Sequence, residues 1–147
     1  MKLRGTLLGT LLLSLLLVQP AAAQRAAAPL EDFIKEVAYL WSGSDARGLA
    51  DLMPEEARVL LDTGGGMETV EARHAAAALR ALFAERQSVS VRPARITVAG
   101  TRPARGFGLL TWSFRSRGSP STESGSVYVG AVWSEDGWRI SELRLMR

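Results

Sequence analysis

Glu142 and Arg144 are the pair whose types and spacing could do chemistry. Two residues apart in a C-terminal apolar stretch, they would share a strand face, where a carboxylate beside a guanidinium could orient a polar ligand. Strict alternation from Trp138 and Ile140 puts both on the inner face with the core. A bulge after Ser141 would instead return Leu143 and Leu145 to the core and send Glu142 outward, which is less costly because two leucines lose more by exposure than one glutamate. If the register is kept, Leu143 and Leu145, with Val132, would form an outer-face dimer seam.

The other candidates are weaker. His74 is the single histidine, and it falls on the polar side of a helix away from Leu79. Tyr39 sits on the polar side of its helix, and Tyr128 lies in a strand with apolar residues on both faces. Asp62 and the adjacent Glu55 and Glu56 read as solvated carboxylates. Gly64, Gly65 and Gly66 between a strand and a helix mimic a phosphate cradle, but no Walker lysine follows and the dinucleotide glycine spacing fails, so a turn accounts for them. With one histidine and no cysteine, neither a metal site nor another cofactor is expected. No esterase-type Gly-x-Ser-x-Gly elbow is present. What remains is an aromatic set: Trp112, Phe114 and Trp133, with Trp41, Trp138 and Phe107. Core packing explains most such rings, yet Trp112, Phe114 and Trp133, together with Glu142 and Arg144, compose a candidate ligand pocket of apolar wall and few polar groups.

The elements that must position these groups follow from periodicity. Leu30, Phe33, Ile34, Val37, Leu40 and Trp41 fall on one arc of a helix starting near Pro29. Asp45 can cap a second short helix that ends at Pro54. Residues 57–63 read as a short strand, and Thr69 as the cap of a third helix reaching Glu85. Beyond Val89 the period changes to two, predicting strands over 89–99, 106–117, 123–134 and 138–146 in an antiparallel meander. Pro93 marks an edge position or a bulge in the first of these.

The amino terminus has the form of a secretory signal: Lys2 and Arg4, an uncharged leucine-rich run over 7–18, then Ala21, Ala22 and Ala23. Twelve residues of helix span about 18 Å, short of the roughly 30 Å of a bilayer core, so no permanent membrane anchor is expected. The expected division is a signal peptide over 1–23, a flexible lead-in over 24–29 and one domain over 30–147, exported to the periplasm or the extracellular space. Loss of Lys2 and Arg4 lowers the formal charge from +3 to +1. The arginines are scattered along the sequence with no basic run, so nucleic acid is not an expected partner.

Helix, helix, strand, helix and four strands make an α+β domain. This order resembles the cone-shaped nuclear transport factor 2-like superfamily, which includes ketosteroid isomerase, scytalone dehydratase and the SnoaL-like polyketide cyclases. The best local piece runs from Val127-Tyr128-Val129-Gly130 to Gly137-Trp138-Arg139-Ile140-Ser141-Glu142-Leu143. The resemblance covers about residues 30–147 and is most like small exported bacterial domains of unknown function. It implies a bent antiparallel sheet packed by three N-terminal helices. Enzymes of the superfamily project an aspartate, histidine or tyrosine into the cone, and the tyrosine and aspartate pattern of ketosteroid isomerase is not found here.

The expected function is accordingly a non-catalytic exported domain that binds a small apolar ligand or a protein partner through its cone or sheet face. An isomerase, dehydratase or hydrolase using Glu142, perhaps with Asp62, and a homodimeric assembly module are the alternatives.

Overall fold

The computed structural model describes residues 21–100 and 103–146, with side chains from Pro29 onward. Most of the signal-peptide segment, including its charged start and leucine-rich run, lies outside the described residues. Among those described, no helix is long and apolar enough to cross a membrane.

Three helices and six strands follow in the order α1 (Ala21–Ser42), α2 (Ala46–Asp51), β1 (Val59–Asp62), β2 (Glu68–Val70), α3 (Ala72–Glu85), β3 (Arg86–Ala99), β4 (Arg105–Ser116), β5 (Thr122–Ser134) and β6 (Gly137–Met146). The helix α1 buries the expected stripe, with Leu30, Ile34 and Val37 fully inside and Tyr39 exposed on the opposite side. Within the described residues it already runs from Ala21, ahead of Pro29. Asp45 caps α2 as expected, its carboxylate accepting the Gly48 N–H at 2.8 Å.

Thr69 does not cap α3. It lies in β2, a three-residue strand that the sequence pattern did not reveal, and Glu71 precedes the helix without a side-chain cap. So short a strand carries no readable alternation, and pairing with β1 defines it: Leu60 lies opposite Thr69.

One sheet contains all the strands, in the order β2-β1-β6-β5-β4-β3. Strands β3 to β6 form the expected antiparallel meander, but β1 joins β6 in parallel, so the sheet is mixed. β3 is an edge strand, and its register shifts both between Ser88 and Ser90 and between Pro93 and Arg95, so Pro93 marks an edge and a bulge together. Such irregularities bend the strand and increase its twist, which curls the sheet around the helices.

The close fit of α1 depends on two glycines. A Cβ on Gly106 would stand 2.5 Å from Leu30 Cδ1, and one on Gly108 would stand 2.6 Å from Ile34 Cδ1. With no side chain there, one helical stripe lies directly on β4. The core is wholly apolar: among the described residues no polar or charged side chain is buried.

Candidate functional site

The inner face of the sheet is set by alternation. In β4, Leu110, Trp112 and Phe114 are buried, while Thr111 and Arg115 are exposed. Trp112 meets Trp41 of α1 edge-on at 5.4 Å between ring centroids, and Phe114 lies 4.4 Å from Trp112. Edge-on and tilted contacts match the quadrupoles of the rings. The Trp112 indole N–H donates to Ser88 Oγ at 2.9 Å, and Ser88 Oγ–H donates to the Trp41 carbonyl at 3.2 Å, fixing the ring against rotation.

Where this face runs past the helices, a cavity of about 260 Å³ opens, floored by Trp112 and Phe114 and bordered by Arg86, Glu123, Leu145 and Gly64. The Arg86 guanidinium carbon stands 5.0 Å from the Phe114 ring centroid, a cation–π distance. Glu123 accepts a hydrogen bond from Ser116 Oγ at 2.5 Å. The mouth thus sets the edges of two buried rings beside one cation and one anion.

Arg86 and Ser88 were missed in the sequence because α3 runs straight into β3. Arg86 closes the helix in extended conformation (φ −132°, ψ 107°), with no glycine or proline to mark the change. The alternation that places Ser88 and Arg86 inward, in line with Val91 beyond the bulge, was the available signal.

The five pocket candidates do not converge. Trp112 and Phe114 belong to the mouth. Trp133 sits at the other end of β5, about 33 Å of strand from Glu123. There it is 41 % exposed, packs edge-on against Trp138 at 5.4 Å, and lines an open groove with Phe33, Asp32, Glu36 and Asp136.

Glu142 and Arg144 lie on the outer face, behind the core. Gly130 pairs with Glu142 but the next residue, Ala131, pairs with Ile140, so Ser141 is the extra residue of a bulge in β6. Leu143 is therefore buried and Leu145 packs against the core. This also removes the leucine seam: Leu143 and Leu145 face inward, and only Val132 of the three lies outside.

On that outer face Arg144 Nε stands 2.6 Å from Glu142 Oε1, an ion pair without an aligned hydrogen bond. The Arg144 guanidinium also lies 4.5 Å over the Tyr128 ring, and Phe107 lies 5.9 Å from Tyr128 on the other side. Burial first, and then the Glu142 charge, raise the Tyr128 phenol above its ordinary value, with Arg144 opposing them.

The remaining candidates are accounted for locally. His74 is exposed on α3. Asp62 Oδ1 accepts the N–H groups of Gly64 and Gly66 at 2.7 and 3.2 Å, and both glycines have positive φ, so the triplet is a carboxylate-stabilised turn. Among the described residues no group of three or more histidine, cysteine, aspartate or glutamate side chains could hold a metal ion.

No family model and no curated protein matches this sequence. Solved structures do. A DUF4783 family protein from Bacteroides uniformis superposes with a TM-score of 0.63 at 14 % identity, over 77 % of this chain and 94 % of the other. The protein Kfla4162 from Kribbella flavida gives 0.64 at 20 % identity, over 84 % and 91 %. Rd1NTF2_04 with long sheet gives 0.60 at 21 % identity, over 79 % and 98 %. This is the nuclear transport factor 2-like fold. In its terms the 260 Å³ cavity is the mouth of the cone, and Glu142 and Arg144 stand on the cone's outer wall. At these identities the likeness extends to the fold alone.

Proposed function

We propose that this chain is an exported, non-catalytic binding domain whose cone mouth takes a small apolar ligand. The observation that carries the reading is the locked Trp112–Phe114 floor. An aromatic surface held in one orientation by Ser88 and Trp41 loses little freedom on binding, which is what makes a preformed apolar site effective. A space of about 260 Å³ lies just below the usual range of small-molecule pockets and suits a ligand of one or two rings. Arg86 and Glu123 at its border would orient a polar substituent.

The non-catalytic part rests on where the carboxylates stand. Glu142 is on the outer wall, Asp62 is engaged in its turn, and Glu123 is exposed at the rim. A carboxylate that exchanges a proton with a ligand in the mouth would have to stand within hydrogen-bond reach inside it. The export part rests on the charged start, leucine-rich run and alanine-rich end of residues 1–23.

Native mass spectrometry of the chain recovered from an exporting host tests both parts. Expected are a mass that begins at Gln24 and a retained small molecule that Phe114→Ala releases. A bare chain whose indole fluorescence indole and naphthol leave unchanged would overturn the ligand reading, and an uncleaved amino terminus would overturn export.

A further inference from the structure

The arginines that are scattered in sequence are gathered by strand pairing. Cross-strand register places Arg92 opposite Thr111, Arg95 opposite Leu109, Arg105 opposite Val132 and Arg115 opposite Thr122, while Arg139 pairs with Val132 and Arg144 with Tyr128. All six therefore take outer-face positions in the register, with Arg95 at the β3 edge also bordering a groove shared with Glu31 and Lys35 of α1. Among the described residues that face carries two carboxylates, and neither is free: Glu142 pairs with Arg144, and Asp62 is held by its glycine turn. The acidic residues concentrate instead on the helical side, among them Glu31, Asp32 and Glu36 on α1.

The arrangement within the face is ordered. Phe107, Leu109 and Tyr128 occupy the middle, with Thr111 and Ser126 beside them. Arg92 and Arg95 stand on the β3 edge, Arg105 and Arg139 at one end of the strands, and Arg115 at the other. An apolar and aromatic centre with a charged rim is the anatomy of a protein interface, and tyrosine, phenylalanine and arginine are the residues enriched there. Five strands and ten residues of length give about 19 by 33 Å, roughly 600 Å² before side-chain relief, comparable to the ~800 Å² each partner contributes to a standard interface.

We infer that this outer sheet face docks a protein partner whose own surface carries an apolar centre rimmed by carboxylates. Charge complementarity selects that occupant. A second copy related by a two-fold axis would set arginine rim against arginine rim. A single-stranded nucleic acid would need open ring faces to stack on, and here Phe107 and Tyr128 are half-buried against each other with Arg144 over Tyr128. The aromatic rings lie half-buried along the sheet, Phe107 tilted against Tyr128 and Arg144 over it, so no ring projects to enter a lipid interface, and the exposed Leu60 and Met146 stand at the margins rather than at the centre. The cone mouth is floored by Trp112 and Phe114 from the opposite face, so docking at the Phe107–Tyr128 centre does not depend on whether the mouth holds a ligand.

The test uses the full chain and four labelled probes: a short amphipathic peptide with leucines flanked by glutamates, its glutamine counterpart, oligouridine RNA and phosphatidylglycerol vesicles. Expected is saturable binding of the glutamate peptide alone, weakening steeply with salt. Arg105→Glu combined with Arg139→Glu should reduce it at least tenfold without moving Tm, and so should Arg92→Glu with Arg95→Glu. Equal binding of the glutamine peptide, tighter binding of RNA or vesicles, indifference to both charge reversals, or a dimer that sediments through this face would each overturn the inference.

Discussion

Trp112 donates its indole N–H to Ser88 Oγ at 2.9 Å, and the same hydroxyl donates to the Trp41 carbonyl at 3.2 Å. One serine thereby ties the floor of the cone mouth to the last turn of α1. Trp112 is only 1 % exposed, so its N–H has no water to fall back on. Ser88→Ala should lower stability by about 1–3 kcal/mol, the cost of stranding a buried donor. Urea unfolding followed by indole fluorescence measures it, and a loss under about 0.5 kcal/mol would show that the bond contributes little.

Gly108 is the closest point between β4 and α1 along the Ile34 contact. Gly108→Ala should destabilise by about 1–3 kcal/mol, because the methyl overpacks a side chain that is itself fully buried. Adding Ile34→Val removes the Cδ1 atom that the methyl would strike, and should recover part of the loss. Thermal unfolding of the single and double variants decides it; strict additivity would mean that the two positions do not compete for space.

The bulge at Ser141 makes an uneven prediction for neighbours. Leu143→Ala should cost about 2–5 kcal/mol as a cavity in the core. Glu142→Gln should cost under about 1 kcal/mol, since the pair it breaks is partly solvated on the outer wall. Chemical denaturation of both variants checks the register, and the reverse order would place Glu142 inside.

Tyr128 provides a spectroscopic report of the outer face. The chain has two tyrosines, so Tyr39→Phe leaves Tyr128 as the single phenol. Its tyrosinate absorbance should appear above the ordinary phenol value of about 10. Glu142→Gln should lower the midpoint by removing a negative charge, and Arg144→Gln should raise it by removing a positive one. Because the folded phenol holds its proton more tightly than the unfolded one, its contribution to stability is complete below the unfolded value. That contribution is lost as pH rises through the folded value. A midpoint unmoved by either substitution would separate Tyr128 from the pair.

Much of the fold was legible because hydrophobic periodicity is a local property. The α1 stripe, the Asp45 cap and the four long strands each follow from spacing within one segment, and the same alternation exposed the conflict at Glu142 that a bulge resolves. The cost of exposing Leu143 and Leu145 was enough to favour that bulge before any pairing was known.

Tertiary structure decided what depends on pairing partners. β2 has three residues and exists only because β1 lies beside it, and nothing within β1 announces its parallel partner β6. The candidate pocket residues divided because alternation gives a strand two faces without saying which end of a face a helix leaves open: Trp112 and Phe114 reached the mouth, Trp133 the far groove, and Glu142 and Arg144 the outer wall. The arginines show the same limit from the other side. Read along the chain they form no cluster, and the antiparallel register brings six of them from three strands onto one face. Local sequence determines which side of a strand a residue takes, while cross-strand hydrogen bonding determines its company, because that company comes from segments far apart in the chain.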